Sequence, residues 1–280
     1  IWCAMAGINE GAFAITTNGD LYSWGYNYNA TLGQSALGRT LLATWQSTYR
    51  ANITIPTYVT SNVIKVVTIN SSTAILKNDG TIWTCGLNGT GELGYNVTEN
   101  NDYTYPSFAQ EVTYKNNWID IMPGKQGFLA LNTIGQVYYT GYFYSNAGSP
   151  IATIFTQIDI ANPPANTISS ATSTTAAYID SSYNLYGVGS SVAFGPGYGP
   201  WFPTYQTTWT SVGNTAVDIQ IVGLSSIRKN NSNELYAAGY PRADMGIGIS
   251  GSSTPLASLT KIGTTQTWQQ YSYGWYISST

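Results

Sequence analysis

Catalysis by this chain would depend on thirteen acidic side chains, because the sequence contains no histidine. A serine or cysteine nucleophile needs a neighbouring base, and without histidine neither a Ser–His nor a Cys–His pair can form. Two carboxylates that meet in the fold can hydrolyse a glycosidic bond, but the acidic residues are scattered and suggest no pair. The sequence therefore predicts no catalytic residue, with a two-carboxylate glycosidase as the enzymatic alternative.

The two cysteines restrict metal and disulfide chemistry. Structural zinc sites take four ligands, nearly always Cys and His, and this chain offers only Cys3 and Cys85. Each lies in an apolar, strand-like run, so we expect two buried free thiols rather than a bridge. We predict no metal site and no cofactor.

Charge and composition set the broad class of the protein. Charged residues make up 8% of the chain, the formal net charge is −3, and no basic run occurs. Nucleic-acid binding needs clustered Lys and Arg, and a bilayer-spanning helix needs about 20 apolar residues, so we expect neither a nucleic-acid partner nor membrane insertion. The 23 Tyr and 9 Trp are typical of an all-β protein. The chain begins at Ile1 without a methionine, which suggests a segment of a longer protein.

A repeated pattern determines the predicted architecture. The stretches "GAFAITTNGDLYSWGYN" and "STAILKNDGTIWTCGLN" are two copies of a unit that recurs five times, at intervals of about 50 to 60 residues. Each unit has a glycine that ends a strand, an aliphatic residue four positions earlier and an aromatic residue three positions earlier. The glycines are Gly25, Gly86, Gly141, Gly189 and Gly239, and the aromatic residues are Tyr22, Trp83, Tyr138, Tyr186 and Tyr236. We expect these rings to pack between neighbouring sheets rather than to bind a ligand.

A tight hairpin turn is predicted six positions before each glycine. Residues that reach positive φ cheaply stand there in four repeats: Gly19, Gly80, Gly135 and Asn233. The fourth repeat has Tyr183 instead, and Asn184 directly after it suggests a turn shifted by one residue.

Four short strands can be assigned to each repeat. Such units, repeated around a ring, are typical of a β-propeller. We therefore predict an all-β fold with five full repeats and a partial sixth, in a single domain over residues 1–280 with six or seven blades. Because an incomplete last blade would leave strand edges exposed, we expect further strands beyond Thr280.

The repeats resemble those of the regulator of chromosome condensation family. Repeats one and two keep the family's glycines, its aspartate or asparagine turn and its G-x-N pattern, including Asn27 and Asn88. They also keep the closing Leu-Gly pairs at 32–33 and 93–94, whereas repeats four and five retain only "NLYGVG" and "ELYAAG". The resemblance covers nearly the whole chain and implies a propeller, usually of seven blades. The histidine common in the family's second strand is missing from every repeat.

The loops after the strand-ending glycines carry the candidate binding residues. They vary most between repeats, and they should emerge at the same end of each sheet because they occupy the same place in each unit. Loops rich in Tyr, Asn, Ser and Gly suit adaptable recognition with rigid aromatic anchors, although such loops can also simply pack on one another. The candidates are Tyr26, Tyr28, Tyr142, Phe143, Tyr144, Tyr198, Trp201, Phe202 and Tyr240.

The sequence favours a non-catalytic recognition or structural module over an enzyme. Its low charge and its Asn, Thr and Tyr richness suggest an extracellular, cell-surface or virion-surface protein, such as a tail fibre or spike. Its partners would be a protein or glycan surface or neighbouring subunits of a larger assembly. The alternatives are an intracellular adaptor or guanine-nucleotide-exchange propeller, which the family resemblance implies, and a secreted enzyme inhibitor.

Overall fold

The computed structural model divides the chain into two compact units, Ile1–Ile158 and Asp159–Thr280. Within them it describes residues 2–6, 11–27, 30–34, 42–43, 52–69, 71–99, 103–113, 115–124, 126–142, 151–158, 164–170, 175–194, 205–241, 245, 247–248, 254–256 and 258–269. A single domain over 1–280 stays a prediction, and the two units are described separately below.

Thirteen strands are described in unit 1. They are β1 (Trp2–Ala6), β2 (Gly11–Ile15), β3 (Leu21–Tyr26), β4 (Leu42–Ala43), β5 (Asn52–Thr60), β6 (Val63–Ile69), β7 (Ser72–Lys77), β8 (Ile82–Gly86), β9 (Tyr103–Gln110), β10 (Trp118–Pro123), β11 (Phe128–Asn132), β12 (Val137–Gly141) and β13 (Ala152–Gln157). They form three antiparallel sheets, in the orders β1-β2-β3-β5, β4-β9-β8-β7-β6 and β10-β11-β12-β13. These are sheets 1, 2 and 3, and each contains one repeat of the sequence.

Unit 2 contains two further sheets with the same order of strands. Its described elements are β14 (Ala165–Ser170), β15 (Ala176–Asp180), β16 (Asn184–Ser190), a 3₁₀ helix (Ser191–Phe194), β17 (Tyr205–Thr215), β18 (Asp218–Val222), β19 (Ser225–Lys229), β20 (Leu235–Gly239) and β21 (Thr260–Ile262). Sheet 4 is β14-β15-β16-β17 and sheet 5 is β18-β19-β20-β21. The four-strand unit predicted from the repeat is therefore found five times. The partial sixth repeat lies mostly outside the described residues.

One strand departs from the predicted arrangement. The two-residue strand β4 follows repeat one in sequence but pairs with β9 of sheet 2, where Leu42 faces Thr104 and Ala43 faces Tyr103. Sheet 2 therefore has five strands, and a segment of one repeat extends the sheet of the next.

Neighbouring sheets of a unit pack face to face. Phe13 and Leu21 of sheet 1 share a buried cluster with Val66 and Ile75 of sheet 2. Ile82 and the residues around it bury the other face of sheet 2 against sheet 3. In unit 2, side chains of β15 and β18 form the equivalent cluster between sheets 4 and 5. Because both faces of sheet 2 are covered, its strand β7 is buried over all but its last residue.

The repeated aliphatic position is the most deeply buried one in the pattern. Its five members are Leu21, Ile82, Val137, Leu185 and Leu235, each at most 4% exposed. The aromatic position beside it is less uniform, since Tyr138 and Tyr186 are buried whereas Tyr22, Trp83 and Tyr236 are partly buried. Several of these rings contact rings of their own sheet: Tyr22 meets Tyr58, Tyr138 meets Trp118, and Tyr186 stacks on Tyr178. Tyr22 and Tyr58, and likewise Tyr186 and Tyr178, are directly opposite each other on adjacent strands, where aromatic side chains are within reach of each other; Trp118 reaches Tyr138 across the intervening strand β11.

The fourth hairpin turn is not shifted, contrary to the sequence prediction. Tyr183 itself takes a φ of 65°, and its N–H donates to the Asp180 carbonyl at 3.0 Å. Gly19, Gly80, Gly135 and Asn233 make the equivalent bond in the other repeats. Tyr183 therefore adopts the left-handed conformation that glycine or asparagine occupies elsewhere.

Candidate binding surface

Three of the nine predicted binding residues belong to the part of the chain that the structure describes. Tyr26 ends β3 with 37% of its surface exposed, and Tyr142 and Tyr240, both partly buried, directly follow β12 and β20. Each therefore stands at the start of the loop of a different sheet. The other six lie outside the described residues: Tyr28, Phe143, Tyr144, Tyr198, Trp201 and Phe202.

The strand-ending glycine fixes the direction in which each loop leaves its sheet. All five of these glycines have positive φ, from 64° at Gly141 to 107° at Gly86. A Cβ at Gly86 would collide with the Ser71 carbonyl oxygen, because the turn between β6 and β7 crosses directly over it. The next residue then bonds to that turn, as Leu87 N–H does to the Ser71 carbonyl at 2.9 Å. The tight crossing and the positive φ together require glycine here.

Two asparagines organise the loops of repeats one and two. The Asn27 side-chain oxygen accepts the N–H of Leu32 at 3.0 Å, and Asn88 accepts the N–H of Leu93 at 2.9 Å. Leu32 and Leu93 are fully buried, and a glycine with positive φ follows each of them. The family-like Asn and Leu-Gly positions thus fold the start of each loop back onto its sheet.

The loop of one sheet is also hydrogen-bonded to the next sheet. Thr73 donates its hydroxyl to the Thr31 carbonyl at 2.8 Å, and Thr140 donates to the Glu92 carbonyl at 2.8 Å. In unit 2, Ser226 donates to the Ala193 carbonyl at 2.6 Å. These bonds hold the loop bases firmly, so the variable tips are presented by a rigid platform.

One predicted thiol lies in this platform. Cys85 is a free, fully buried cysteine whose Sγ lies 3.6 Å from the Thr31 carbonyl oxygen, and burial raises the pKa of its thiol. Reactive cysteines are partly exposed and have a lowered pKa, so Cys85 has the character of a structural residue. The side chain of Cys3 lies outside the described part of the structure.

Glu92 is a buried carboxylate in the loop of sheet 2. It is 8% exposed, and its Oε2 accepts the N–H and hydroxyl of Thr90 at 2.7 and 2.8 Å. Burial raises the pKa of Glu92, and the Thr90 and Ser72 hydrogen bonds partly offset that effect. No sequence signal separated Glu92 from the other twelve acidic residues, because its burial depends on packing between the loop and sheet 3.

The other described carboxylates mostly serve local structure. Asp180 accepts the N–H groups of Ser182 and Asn184 in a hairpin turn, and Glu111 accepts the N–H and hydroxyl of Thr113. Glu234 pairs with Lys261 at 2.6 Å. Within the described residues, no three potential His, Cys, Asp or Glu ligands cluster as a metal site would require, and no helix is long and apolar enough to cross a membrane.

Two cavities in unit 1 lie outside the predicted loop sites. A cavity of about 380 Å³ opens between the hairpin turns of sheets 1 and 2 and is lined mainly by Asn and Thr residues, with Ile64 at its edge. A second cavity of about 210 Å³ lies between the same sheets, with Trp83 and Phe108 in its wall. Sequence reasoning missed both, because each depends on how two repeats meet.

No family model matches the chain. Solved structures do match it. Human WBSCR16 matches with a TM-score of 0.72 and 14% sequence identity. Yeast RCC1 (Prp20), solved bound to Kap60, matches with a TM-score of 0.68 and 15% sequence identity. The fold is that of an RCC1-type β-propeller. A second structure of Prp20p, from Saccharomyces cerevisiae, agrees, with a TM-score of 0.64 and 15% identity. Each match covers 92% of this chain but only 65%, 60% and 62% of the matched chain, in that order.

In the RCC1-type fold each of the five sheets is one blade, and the repeated glycine lies at or next to the end of its third strand. The loops begin at the same end of every blade, as predicted from their place in the repeat. The matches extend to the fold alone, since all three identities are far below the level at which function can be transferred.

Proposed function

We propose that this chain is a non-catalytic propeller that binds a partner protein through the loops at one end of its blades. The observation that carries the proposal is the hydrogen-bonded platform beneath those loops, at Asn27, Asn88, Thr31 and Glu92. A rigid base under variable, aromatic loops is the usual arrangement of a recognition surface. The turn and ion-pair roles of the described carboxylates also favour binding over catalysis.

The similar structures support a protein as the partner. Yeast RCC1 (Prp20) was solved bound to Kap60, and the second Prp20p structure was described together with its binding to Gsp1p and histones. Proteins with this fold therefore do bind other proteins. A protein surface also suits the loops, since Tyr and Trp are enriched among the residues that dominate binding energy at such interfaces.

We propose an extracellular, cell-surface or virion-surface location for this interaction. The support is compositional: 8% charged residues is about a third of the usual share, and Asn, Thr, Ser and Tyr provide the polar surface instead. Glycan recognition by the same loops is an outcome of the experiment below rather than a second proposal.

The test is affinity capture from the native source, followed by binding measurements with two sets of variants. Tyr26→Ala, Tyr142→Ala, Tyr144→Ala and Trp201→Ala change the loop end, whereas Ile134→Ala changes an exposed residue of the β11–β12 hairpin at the other end of sheet 3. We expect at least one loop variant to weaken binding of the captured protein about tenfold or more, with Ile134→Ala unchanged. Equal binding by all loop variants would exclude this surface, and loss of binding after glycan removal from the partner would identify a glycan ligand.

Guanine-nucleotide exchange is the second candidate, because the resemblance of the repeats to the regulator of chromosome condensation family implies it; the Prp20p structure adds Gsp1p as a protein that such a propeller binds. The assay is release of a fluorescent GDP analogue from purified Gsp1p, with and without a molar excess of this chain. The proposal predicts no acceleration. Faster release would replace it with an exchange-factor function and an intracellular location.

A further inference from the structure

Blade 5 carries a charged residue at a place where the other four blades carry apolar ones. This place lies on the second strand, directly opposite the repeated aromatic residue of the third strand. Its occupants in blades 1 to 5 are Ala14, Ile75, Ala130, Tyr178 and Arg228. Only 3% of Arg228 is exposed. An arginine is almost never buried to this degree unless it is paired.

The side chain of Arg228 lies between blades 4 and 5. Ile219, its direct neighbour on β18, belongs to the buried cluster between these two blades. Direct cross-strand neighbours share one face of a sheet, so Arg228 is on that face as well. Its Nη2 donates a hydrogen bond to the carbonyl of Phe194, the last residue of the 3₁₀ helix in blade 4.

The hydrogen bond to Phe194 replaces one that blades 1 and 2 form internally. In blade 1 the Ser23 hydroxyl donates to the Leu32 carbonyl at 3.0 Å, and blade 2 forms the same bond with a threonine. Phe194 holds the place of Leu32, because each directly follows a carbonyl that accepts a hydroxyl group of the next blade. Blade 4 has Gly187 at the position of Ser23, and a Cβ there would overlap the Phe194 ring. Arg228 therefore supplies the donor from blade 5, and this role uses one nitrogen of its guanidinium.

The other two nitrogens of Arg228 point to a ligand. Nε and Nη1 are buried, and neither has a hydrogen-bond partner in the part of the chain that the structure describes. Burial lowers the pKa of Arg228 to about 10, so the side chain remains cationic at neutral pH. A buried charge without a partner is costly, and buried charges are as a rule paired. The N–H groups of Nε and Nη1 are suited to an anionic acceptor.

The described carboxylates of unit 2 are engaged elsewhere. Asp180 accepts N–H groups of its own hairpin turn, and Glu234 is paired with a lysine of the next strand. None of the carboxylates that the structure describes forms an ion pair with Arg228. Asp159 and Asp244 lie outside the described residues. The counter-charge of Arg228 is therefore not found in the described part of unit 2.

Arg228 lies at the base of the loop of blade 4. Phe194, which accepts its hydrogen bond, directly precedes residues 195–204 of that loop, and the predicted binding residues Tyr198, Trp201 and Phe202 belong to this segment. Residues 190–205 include no Asp or Glu, so the loop has no carboxylate of its own to place on Arg228. A partner protein that binds at the loop end can supply one.

From these observations we infer that Arg228 is the centre of an oxyanion site between blades 4 and 5, which a carboxylate of the partner protein occupies. The inference rests on the proposed protein-binding function and adds the chemistry of one contact. Hydrogen bonds between a guanidinium and a carboxylate are short, strong and geometrically specific, and arginine is well suited to ion pairs at interfaces. A free oxyanion has the same chemistry, and the competition experiment below separates the two sources.

A small oxyanion tests the site without the partner. The chain has four arginines, so the Nε–H signal of Arg228 can be assigned in isotope-labelled protein with Arg228→Lys. The protein is titrated with sodium formate, which is small enough for an enclosed site, and sodium chloride keeps the ionic strength constant. We expect a saturable change of this NMR signal and none in the other three. No change, or a change that never saturates, overturns the inference.

Arg228→Met is the variant that removes the charge. The apolar residues at the same place in the other blades indicate that the fold tolerates it. A ligand of the folded state raises the midpoint of thermal unfolding, which is measured in formate and in chloride at equal ionic strength. We expect a saturable rise in formate for the wild type and for Lys229→Met, and none for Arg228→Met. Lys229 is the matched control, since adjacent residues of a strand point to opposite faces.

A rise of the same size in all three proteins contradicts the inference, because it would be an effect of formate on the whole surface. If Arg228→Met does not fold, Arg228→Gln takes its place with the same expectation. The NMR titration of the wild type decides the matter independently of either variant.

The captured partner identifies the source of the oxyanion. We expect Arg228→Met to weaken partner binding at least tenfold, with Lys229→Met unchanged, and we expect the bound partner to suppress the response of Arg228 to formate. If formate still reaches Arg228 in the complex, the oxyanion comes from solution and the partner's carboxylate is excluded.

Two outcomes separate this inference from the proposed function. If Arg228→Met binds the partner normally while loop variants do not, the carboxylate inference fails and the proposed function stands. If formate binds at Arg228 but no protein partner is captured, the oxyanion site stands and the proposed function fails.

Discussion

At the scale of single residues, the repeat places an aliphatic and an aromatic side chain next to each other with different burial. Leu21 is fully buried in the cluster between sheets 1 and 2, and Tyr22 on the opposite face of β3 is partly buried against Tyr58. Adjacent residues of a strand point to opposite faces, so the aliphatic and the aromatic position of the repeat stabilise different contacts. The sequence pattern alone predicted that the aromatic ring packs between neighbouring sheets.

The first prediction compares the loss of stability at the aliphatic position with that at the aromatic position. Leu21→Ala should lower the free energy of unfolding by about 2–5 kcal/mol, because it leaves a cavity in a sealed cluster. Tyr22→Ala should cost clearly less, since its ring is already partly hydrated. Urea unfolding followed by tryptophan fluorescence measures both, and an equal or larger cost for Tyr22→Ala would contradict the burial difference.

Glu92 gives a prediction about pH. Burial raises its pKa in the folded chain above the ordinary value of 4.5, so the folded state holds this proton more tightly than the unfolded state. The stability that protonated Glu92 contributes is therefore complete below about pH 4.5 and is lost as the pH rises through its folded pKa. Glu92→Gln should show a weaker decline between pH 4 and pH 7 in urea unfolding. A steeper decline than in the wild type would refute this assignment.

At the scale of elements, the hairpin between the second and third strands is the most uniform part of the repeat. Asp180 accepts the N–H groups of Ser182 and Asn184 at 2.8 Å each, and Asn132 and Asn230 make the same pair of bonds in blades 3 and 5. A side-chain acceptor at the start of the turn stabilises it independently of the residue at its tip. This is why Tyr183 can hold a positive φ there.

Tyr183→Gly should therefore stabilise the protein. Left-handed backbone costs a non-glycine residue about 1–2 kcal/mol, and the greater entropy of unfolded glycine offsets part of that gain. Because half of the Tyr183 side chain is exposed, we expect a net gain of a few tenths to about 1 kcal/mol, measured as a higher midpoint of thermal unfolding. Ser182→Gly, at the neighbouring exposed position, is the control and should be slightly destabilising.

At the scale of the whole molecule, each buried cluster among the described residues lies within one of the two units. The clusters around Phe13 and Phe128 lie within unit 1, and those around Ile219 and Met245 lie within unit 2. In repeat architectures each unit gains stability mainly from its immediate neighbours. Three consecutive blades can therefore bury two complete inter-blade interfaces.

The residues 1–158, expressed alone, should fold. We expect a cooperative thermal transition and a near-UV circular dichroism signal from the packed rings of blades 2 and 3. A fragment ending after residue 113 retains only the interface between blades 1 and 2, and should be much less stable. If both fragments lacked a cooperative transition, stability would depend on the complete chain, as a single domain over 1–280 requires.

Much of the fold could be predicted from the sequence because each repeat specifies its own strands. Gly86, Ile82 and Trp83 mark the third strand of blade 2 through glycine geometry and an apolar pair, and these local signals are repeated in every blade. The candidate loop residues followed from position in the repeat, although most lie outside the described part of the structure. The position of Glu92 in a buried pocket could not be predicted, since its surroundings come from residues 20 to 50 positions away.

The sequence by itself determined the blade: four antiparallel strands, a glycine near the end of the third, and a hairpin turn before it. These features depend on local backbone preferences and on a pattern of apolar residues, which neighbouring residues supply. Only the tertiary structure decided that β4 joins the next blade and that Glu92 is buried beside sheet 3. Each of these depends on the volume and contacts between segments distant in sequence, which no single repeat encodes.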